Sequence, residues 1–242
     1  VSSSVFHIAG GAGGAYGLTV WYPEQSLQDV KPYYYTFYNR GGNMLASVTN
    51  CTVLNGYRGI GVSVGANANT HEMFTVDGFR GTFLSEGFFG RDSADVGTFQ
   101  DISISPDYWV AAGEAFGAPA KDDLTRYTKE NAIGMIFGGL EWAQLVDVRV
   151  QSCRYGIQTV RDQRVNFSGN FFHVYLTDCE VGLKADVLYD WAAWGIVAAD
   201  CRFEGSRLGL ENRSAGYVKL CSVEIVGGIG GSGKYTIEEE GD

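Results

Sequence analysis

Asp147-Val-Arg-Val-Gln-Ser-Cys-Arg-Tyr-Gly-Ile157 is the stretch against which most of this chain can be laid. Without gaps, Asn50–Ile60 (Asn-Cys-Thr-Val-Leu-Asn-Gly-Tyr-Arg-Gly-Ile) and His173–Leu183 (His-Val-Tyr-Leu-Thr-Asp-Cys-Glu-Val-Gly-Leu) repeat its template. The first half alternates apolar residues, as Val148/Val150, Cys51/Val53 and Val174/Leu176, which is the period of a strand with one face buried. A polar corner follows, and Gly-Ile or Gly-Leu opens a second short strand. The same apolar pair recurs as Leu18/Val20, Phe74/Val76, Ile102/Ile104, Ile196/Ala198 and Val218/Leu220. Rungs are therefore expected at 18, 51, 74, 102, 148, 174, 196 and 218.

Self-similarity at intervals of roughly 20 to 50 residues marks stacked architectures, in which each unit buries its apolar face only against its neighbours. Short alternating runs, 34 Gly and only 4 Pro favour strands over helices. The pattern predicts an all-β fold, a single-stranded parallel β-helix or solenoid, with residues 1–242 as one domain. Val1 is no initiator and the chain opens inside a strand-like run, so a fragment of a longer chain, lacking its N-terminal part, is expected.

Two intervals are too long. Surplus residues at about 21–32 and 106–132 leave directly after a rung, so both loop insertions are expected at one corner, the second carrying a short helix at Lys-Asp-Asp-Leu-Thr-Arg-Tyr. Insertions on a stacked fold gather on its functional face. The opposite corner gathers His71, Glu72, Arg91, Asp92, Asp95, Glu141, Trp142, Arg161, Asp162, Arg164, Asp190, Trp191 and Trp194. Thr19, Thr52, Thr75, Ser103, Arg149 and Tyr175 would pave the floor between the corners, giving a groove.

A net charge of −10 without a Lys/Arg cluster disfavours nucleic acid and anionic membranes. No run of about 20 apolar residues is available for a membrane span. Cys153, Cys179 and Cys201 are assigned to one template position, as an inward stack of thiols acting as small hydrophobes. There is no Cys-x-x-Cys, and His7, His71 and His173 are scattered, so no metal or other cofactor is implied. Gly10-Gly-Ala-Gly-Gly14 lacks the Lys and the following helix of a phosphate loop and reads as a tight turn. Asn50, Asn166 and Asn212 head short sequons of the kind that arise by chance.

Gly17-Leu-Thr-Val-Trp-Tyr-Pro-Glu-Gln25, Pro32-Tyr-Tyr-Tyr-Thr-Phe37 and Asp95-Val-Gly-Thr-Phe-Gln-Asp-Ile-Ser-Ile-Ser-Pro-Asp-Tyr-Trp109 resemble the pectate-lyase superfamily, in particular its glycoside hydrolase family 28-related and exo-1,3-glucanase-like secreted members. The resemblance covers most of residues 5–225. It implies a right-handed parallel β-helix, a polysaccharide or oligosaccharide as partner, and a secreted, periplasmic or cell-surface location. The Asp-Phe-Gly-Ala-type opening and capping helix of such proteins are absent, as are the Asn-Thr-Asp, Asp-Asp, Gly-His-Gly and Arg-Ile-Lys motifs of polygalacturonases. Arg149 is the only strong base on the expected floor, without an Asp cluster beside it, which disfavours a calcium-dependent lyase.

Glycoside hydrolysis requires two carboxyl groups, about 5 Å apart for retention and about 6.5 to 9.5 Å for inversion. Glu141 and Asp95 on the acidic corner, with Glu24 and Asp107 on the insertion corner, are the candidates. Trp21, Tyr22, Gln25, Trp109, Trp142 and Arg149 are the candidate sugar contacts. The plain alternative is that these carboxylates are solvated and the indoles pack the insertions onto the strands. Two functions compete: a glycoside hydrolase with a walled groove, and a non-catalytic carbohydrate-binding or structural β-helix of tailspike or adhesin type. Further domains or a homo-oligomer are open partners for either.

Overall fold

The computed structural model describes residues 4–42, 44–65, 69–93, 95–161, 166–188 and 195–238. The chain opens with β1 (Phe6–Ile8), β2 (Gly14–Tyr16), β3 (Thr19–Val20), β4 (Tyr35–Asn39), β5 (Ser47–Thr49) and β6 (Thr52–Val62). It continues through β7 (Thr75–Asp77), β8 (Arg80–Gly90) and β9 (Thr98–Ile104) to helices α1 (Asp107–Ala112) and α2 (Lys121–Asn131). Then come β10 (Ile133–Phe137), β11 (Ala143–Gln151), β12 (Tyr155–Thr159), β13 (Gly169–Ala185) and β14 (Ile196–Ala199). β15 (Arg202–Asn212), β16 (Tyr217–Cys221), β17 (Glu224–Val226), β18 (Ile229–Gly230) and β19 (Lys234–Glu238) complete it.

The register pairings between these strands are parallel and form three ladders. One joins β2, β5, β7, β9, β11, β13, β14, β16 and β19. A second runs from β3 through the first halves of β6 and β8 to the end of β9, and on through β11, β13 and β15 to β17. The third joins β1, β4, the second halves of β6 and β8, β10, β12, the end of β13, and β15 with β18.

Long strands turn the corners and so belong to more than one ladder. β8 pairs with β9 at its start and with β10 at its end. β13 pairs with β11 at its start and with β12 at its end. Hydrogen bonding therefore returns on itself through β8, β9, β11, β13, β12 and β10, a closed ring of six parallel strands with the remaining strands added to it. The fold is all-β, but the expected right-handed single-stranded solenoid, with a separate short strand on each face, is corrected to this closed parallel barrel with extra strands. Periodicity reports which residues face inward; it is blind to whether a strand stops at a corner or runs through it.

The rungs are also partly re-registered. Val148 lies beside Ile102 and Val174, but the neighbour of Thr52 is Arg80, which sets Cys51 beside Phe79 and not beside Phe74. Phe74/Val76, Ile196/Ala198 and Val218/Leu220 fall on the first ladder, one face earlier. Alternation recurs on every face, so it cannot number the faces. At the corner before the second ladder a left-handed residue recurs: Asn50, Asp101, Asp147, His173, Asp200 and Ser222 have φ of 51°, 47°, 53°, 54°, 50° and 51°, with Gly17 and Gly78 at 69° and 66°; other corners carry left-handed residues too, such as Met73, Ser152 and Asp178. Asn and Asp tolerate this region better than other residues with a Cβ. The residues from Gly17 to Ser222 in the first set mark the same corner in successive turns.

The template glycine has a different cause. A Cβ on Gly59, Gly87, Gly134, Gly156 or Gly182 would lie 2.2, 2.5, 2.6, 2.7 or 2.6 Å from the carbonyl oxygen of the glycine in the next turn. Inside, Val53, Phe99, Val148, Val174, Leu176 and Leu183 are fully buried. Cys51, Cys153, Cys179 and Cys201 are buried free thiols. Arg202 pairs with Tyr175 and the Cys201 sulfur meets Val174 N at 3.4 Å, so Cys201 sits at the start of the second ladder, as Cys51 does, and not at the position of Cys153 and Cys179. Burial pushes the Cys179 thiol up to about 12 and the Cys201 thiol to about 11.

Candidate functional site

The two insertions meet. Pro106 precedes α1, and Gly113, at φ 81°, ends it; Asp122 and Asp123 sit in the first turn of α2 and Lys129 in its last, as the helix dipole favours. Trp109 on α1 is fully buried, and with Leu84 and Leu124 it forms a second, smaller core against which Leu27, Val30, Tyr57 and Tyr127 pack. Its backbone N donates to Thr82 Oγ1 at 3.0 Å and its indole N donates to the Phe116 carbonyl at 2.9 Å. Trp21 donates its indole N to the same carbonyl at 3.0 Å and meets the Phe116 ring edge-on at 5.1 Å. Two indoles on one acceptor latch the first insertion to the second.

Tyr22 and Gln25 are interior struts. The buried Asn55 copies a strand's pairing, accepting from Tyr22 N at 2.8 Å and donating to Tyr22 O at 3.0 Å. Tyr22 stacks on Tyr33 at 4.8 Å and shares a hydrogen bond with Thr36 at 2.8 Å. Gln25 accepts from Lys31 N at 2.7 Å and donates to Lys31 O at 3.1 Å, closing the loop between them. Glu24 is exposed and accepts from the Tyr33 hydroxyl at 3.3 Å; Asp107 pairs with Lys121 at 2.8 Å.

Glu141, Asp95 and Trp142 lie together at another corner. Isolated bridges join His71 to Ser93 and Ser93 to Leu140; Ser93 Oγ donates to Asp95 O at 2.8 Å, and Glu141 N reaches Ser93 O at 3.4 Å. Trp142 is 41% exposed, in the left-handed region at φ 53°, with its N donating to Ser168 Oγ at 3.0 Å. Arg149 stands exposed on β11, its guanidinium 5.7 Å from the centre of the Tyr175 ring. Asp162, Arg164, Asp190, Trp191 and Trp194 lie outside the described residues.

The sequence-derived candidates thus divide into two groups. The strand segment from Ala143 to Val150 lies between them, and at about 3.3 Å per residue, even bent at Asp147, it holds the corners roughly 20 Å apart. That is beyond any hydrolytic carboxylate pair, which works at about 5 to 9.5 Å. No group of three or more metal-ligating side chains occurs among the described residues, and no helix there is long and apolar enough to cross a membrane.

A feature that periodicity could not reveal is the cleft between the insertions, about 410 Å³, lined by Leu27 and Gln28 on one side and by Asp123, Arg126, Tyr127 and Glu130 of α2 on the other. Arg126 is oriented by Asp123 at 2.6 Å. The only available signal was the heptad-like spacing of Asp123, Tyr127 and Glu130 on one face of a short helix.

Comparison of the chain with protein-family models, with curated proteins and with solved structures finds no match. With the closed ring of strands, this overturns the resemblance to the pectate-lyase superfamily and the parallel β-helix description that came with it. The Trp-Tyr-Pro-Glu-Gln and Ser-Pro-Asp-Tyr-Trp strings that carried it are explained by local packing: each delivers a tryptophan to the Phe116 carbonyl.

Proposed function

We propose that the protein is a non-catalytic binding module for a polysaccharide, which it takes in the cleft between its two insertions. The observation that carries this reading is the cleft itself: a tyrosine and an aliphatic side chain beside Gln28, Asp123, Arg126 and Glu130, held by a latched and independently packed support. Sugars are recognised by an aromatic surface for the ring face and planar polar groups for the hydroxyls. A hydrolytic reading is less well supported, because Asp107 and Glu24 are engaged locally and lie on a different corner from Glu141 and Asp95.

Affinity electrophoresis through gels containing neutral and acidic polysaccharides, alongside a reducing-end assay, tests the reading. Retardation by at least one polysaccharide, weakened by Tyr127→Ala or Arg126→Ala and without release of reducing ends, is expected. Reducing ends that appear with the native protein and vanish with Glu141→Gln or Asp95→Asn would overturn it.

A further inference from the structure

We propose that the outer face of the first ladder docks on the same face of a second copy, giving a two-fold dimer. Every strand of that ladder from β5 to β16 is paired on both sides, so the face does not depend on the ends of the stack. Helices α1 and α2 pack on β6 and β8, and α2 meets β13 at Asp178, to which Lys129 donates at 2.7 Å, beyond the Gly169–Phe172 segment that pairs in this ladder. Both helices therefore lie on other faces.

The outward positions of the ladder fall into rows. One row runs through Ser47, Thr75, Thr98, Gln144, Asn170 and Val197. The row two residues on carries Gln100, Val146 and Phe172, with Asp77 as its only charge between Tyr16 and Cys221. Two residues before the first row stand Leu45, Met73, Val96 and Trp142, which are 56%, 38%, 39% and 41% accessible; Phe172 and Val197 are 43% and 36% accessible. The other two ladders carry ion pairs outside instead, such as Arg202 with Glu224 and Lys184 with Asp186. In a chain of net charge −10, a face with one carboxylate and a rim of exposed Leu, Met, Val and Trp has the composition of an interface core, depleted of charge and enriched in Trp, Phe and Met.

Charge, pitch and area identify the occupant. Copies of an acidic chain repel one another, and a face with one carboxylate adds least to that repulsion. A basic or acidic partner gains no array of ion pairs there. A sugar finds no ring at Leu45, Met73, Val96 or Val197 and no group to bond its hydroxyls, whereas a protein surface removes those side chains from water. The rows recur about every 4.8 Å, and a second copy presents rows of the same pitch and twist, as aligned sheets do when they pack. Across the strands from β2 to β16, and along them from the Leu45 rim to the Asn50 corner, the face measures roughly 34 by 17 Å, or about 600 Å². The pair then buries about 1,200 Å², above the roughly 1,000 Å² that a specific interface clears. A two-fold axis along the strands, between β9 and β11, sets Val96 of each copy against Trp142 of the other. Such a contact is isologous and closes at two copies.

Sheets packed face to face lie about 10 Å apart, a gap that a short bismaleimide spans. The test uses the whole chain carrying Cys221→Ser, since Cys221 is the one free cysteine that is not buried. Thr98→Cys, beside the axis, should be linked to dimers and no further, and Gln151→Cys, exposed on the second ladder, should stay unlinked. Sedimentation of the native chain should show a monomer–dimer equilibrium, unchanged by Gln151→Lys. Val96→Lys or Phe172→Lys, each at an exposed side chain, should keep the native circular dichroism and weaken that equilibrium about tenfold or more. A single monomeric species at all concentrations overturns the proposal. So do species larger than dimers, dimers that survive both lysine variants, or Thr98→Cys left unlinked. Monomers whose retardation by a polysaccharide is weakened by Phe172→Lys would make the face a sugar platform and overturn it as well.

Discussion

Replacing Trp109 separates a packing role from a ligand role. The side chain is fully buried in the small core with Leu84 and Leu124, and truncating a buried tryptophan to alanine costs about 3 to 5 kcal/mol. Trp109→Phe keeps most of the apolar volume and removes the 2.9 Å bond to the Phe116 carbonyl, a change of about 1 kcal/mol. The carbonyl retains Trp21 as a donor, so the smaller variant leaves no unsatisfied acceptor. The assay is urea unfolding followed by far-ultraviolet circular dichroism, paired with limited proteolysis of the 106–132 segment, because that segment can open without the barrel. Trp109→Ala should lower the midpoint or accelerate cleavage between α1 and α2, and Trp109→Phe should do so weakly. A Trp109→Ala protein with native midpoint and native proteolysis, but defective in polysaccharide retardation, would refute the packing argument and restore Trp109 as a ligand contact.

His71 gives a pH prediction. It is buried, with Nδ1 2.9 Å from Ser63 Oγ, and burial lowers its pKa from 6.5 to about 4. The unfolded chain therefore takes up a proton between pH 6.5 and 4 that the folded chain refuses, so stability is full above pH 6.5 and falls by about 3 kcal/mol on acidification to pH 4. His71→Asn should flatten that limb in stability measured against pH. Asp178 acts lower on the scale. Burial raises its pKa, but hydrogen bonds from Lys129 and Ser152 outweigh this and hold it below 3.8. Its contribution is present above that value and lost as pH falls through the folded pKa, and Asp178→Asn should remove this acid dependence. Gly156→Ala puts a Cβ 2.7 Å from the Gly182 carbonyl and should cost about 1 to 3 kcal/mol by overpacking, read as a shift in the urea midpoint. Asn55→Ala frees the Tyr22 backbone and should loosen the first insertion, seen as faster amide exchange at Tyr22 and Lys31.

Much of this was legible from alternation alone. Val148, Val150, Val174 and Leu176 are inward because a strand with one buried face must alternate, and the template aligned 147–157 with 173–183 correctly. Alternation could not say that Phe74 and Ile196 lie on another face, nor that β8 and β13 run through their corners and close a ring. The left-handed corner was visible as Asn, Asp or Gly before most true rungs, with His173 and Ser222 in the other two turns, but a polar residue ahead of a strand also reads as an ordinary loop. At the site, Trp21 and Trp109 were rightly grouped by their proline-flanked strings. What joins them is the Phe116 carbonyl, 95 residues from Trp21, which no local pattern announces.

The turns of this molecule are set by punctuation and not by length. A left-handed corner residue and a glycine crossing recur in turns as different as the one that follows Asp147 and the one that contains α1 and α2, and the ladders keep register across both. Segments between those two marks are therefore exchangeable parts. A foreign loop grafted after Ile104 or Val20 in place of the native one should leave the barrel's pairing intact, which makes the chain a frame for displaying loops chosen for another purpose.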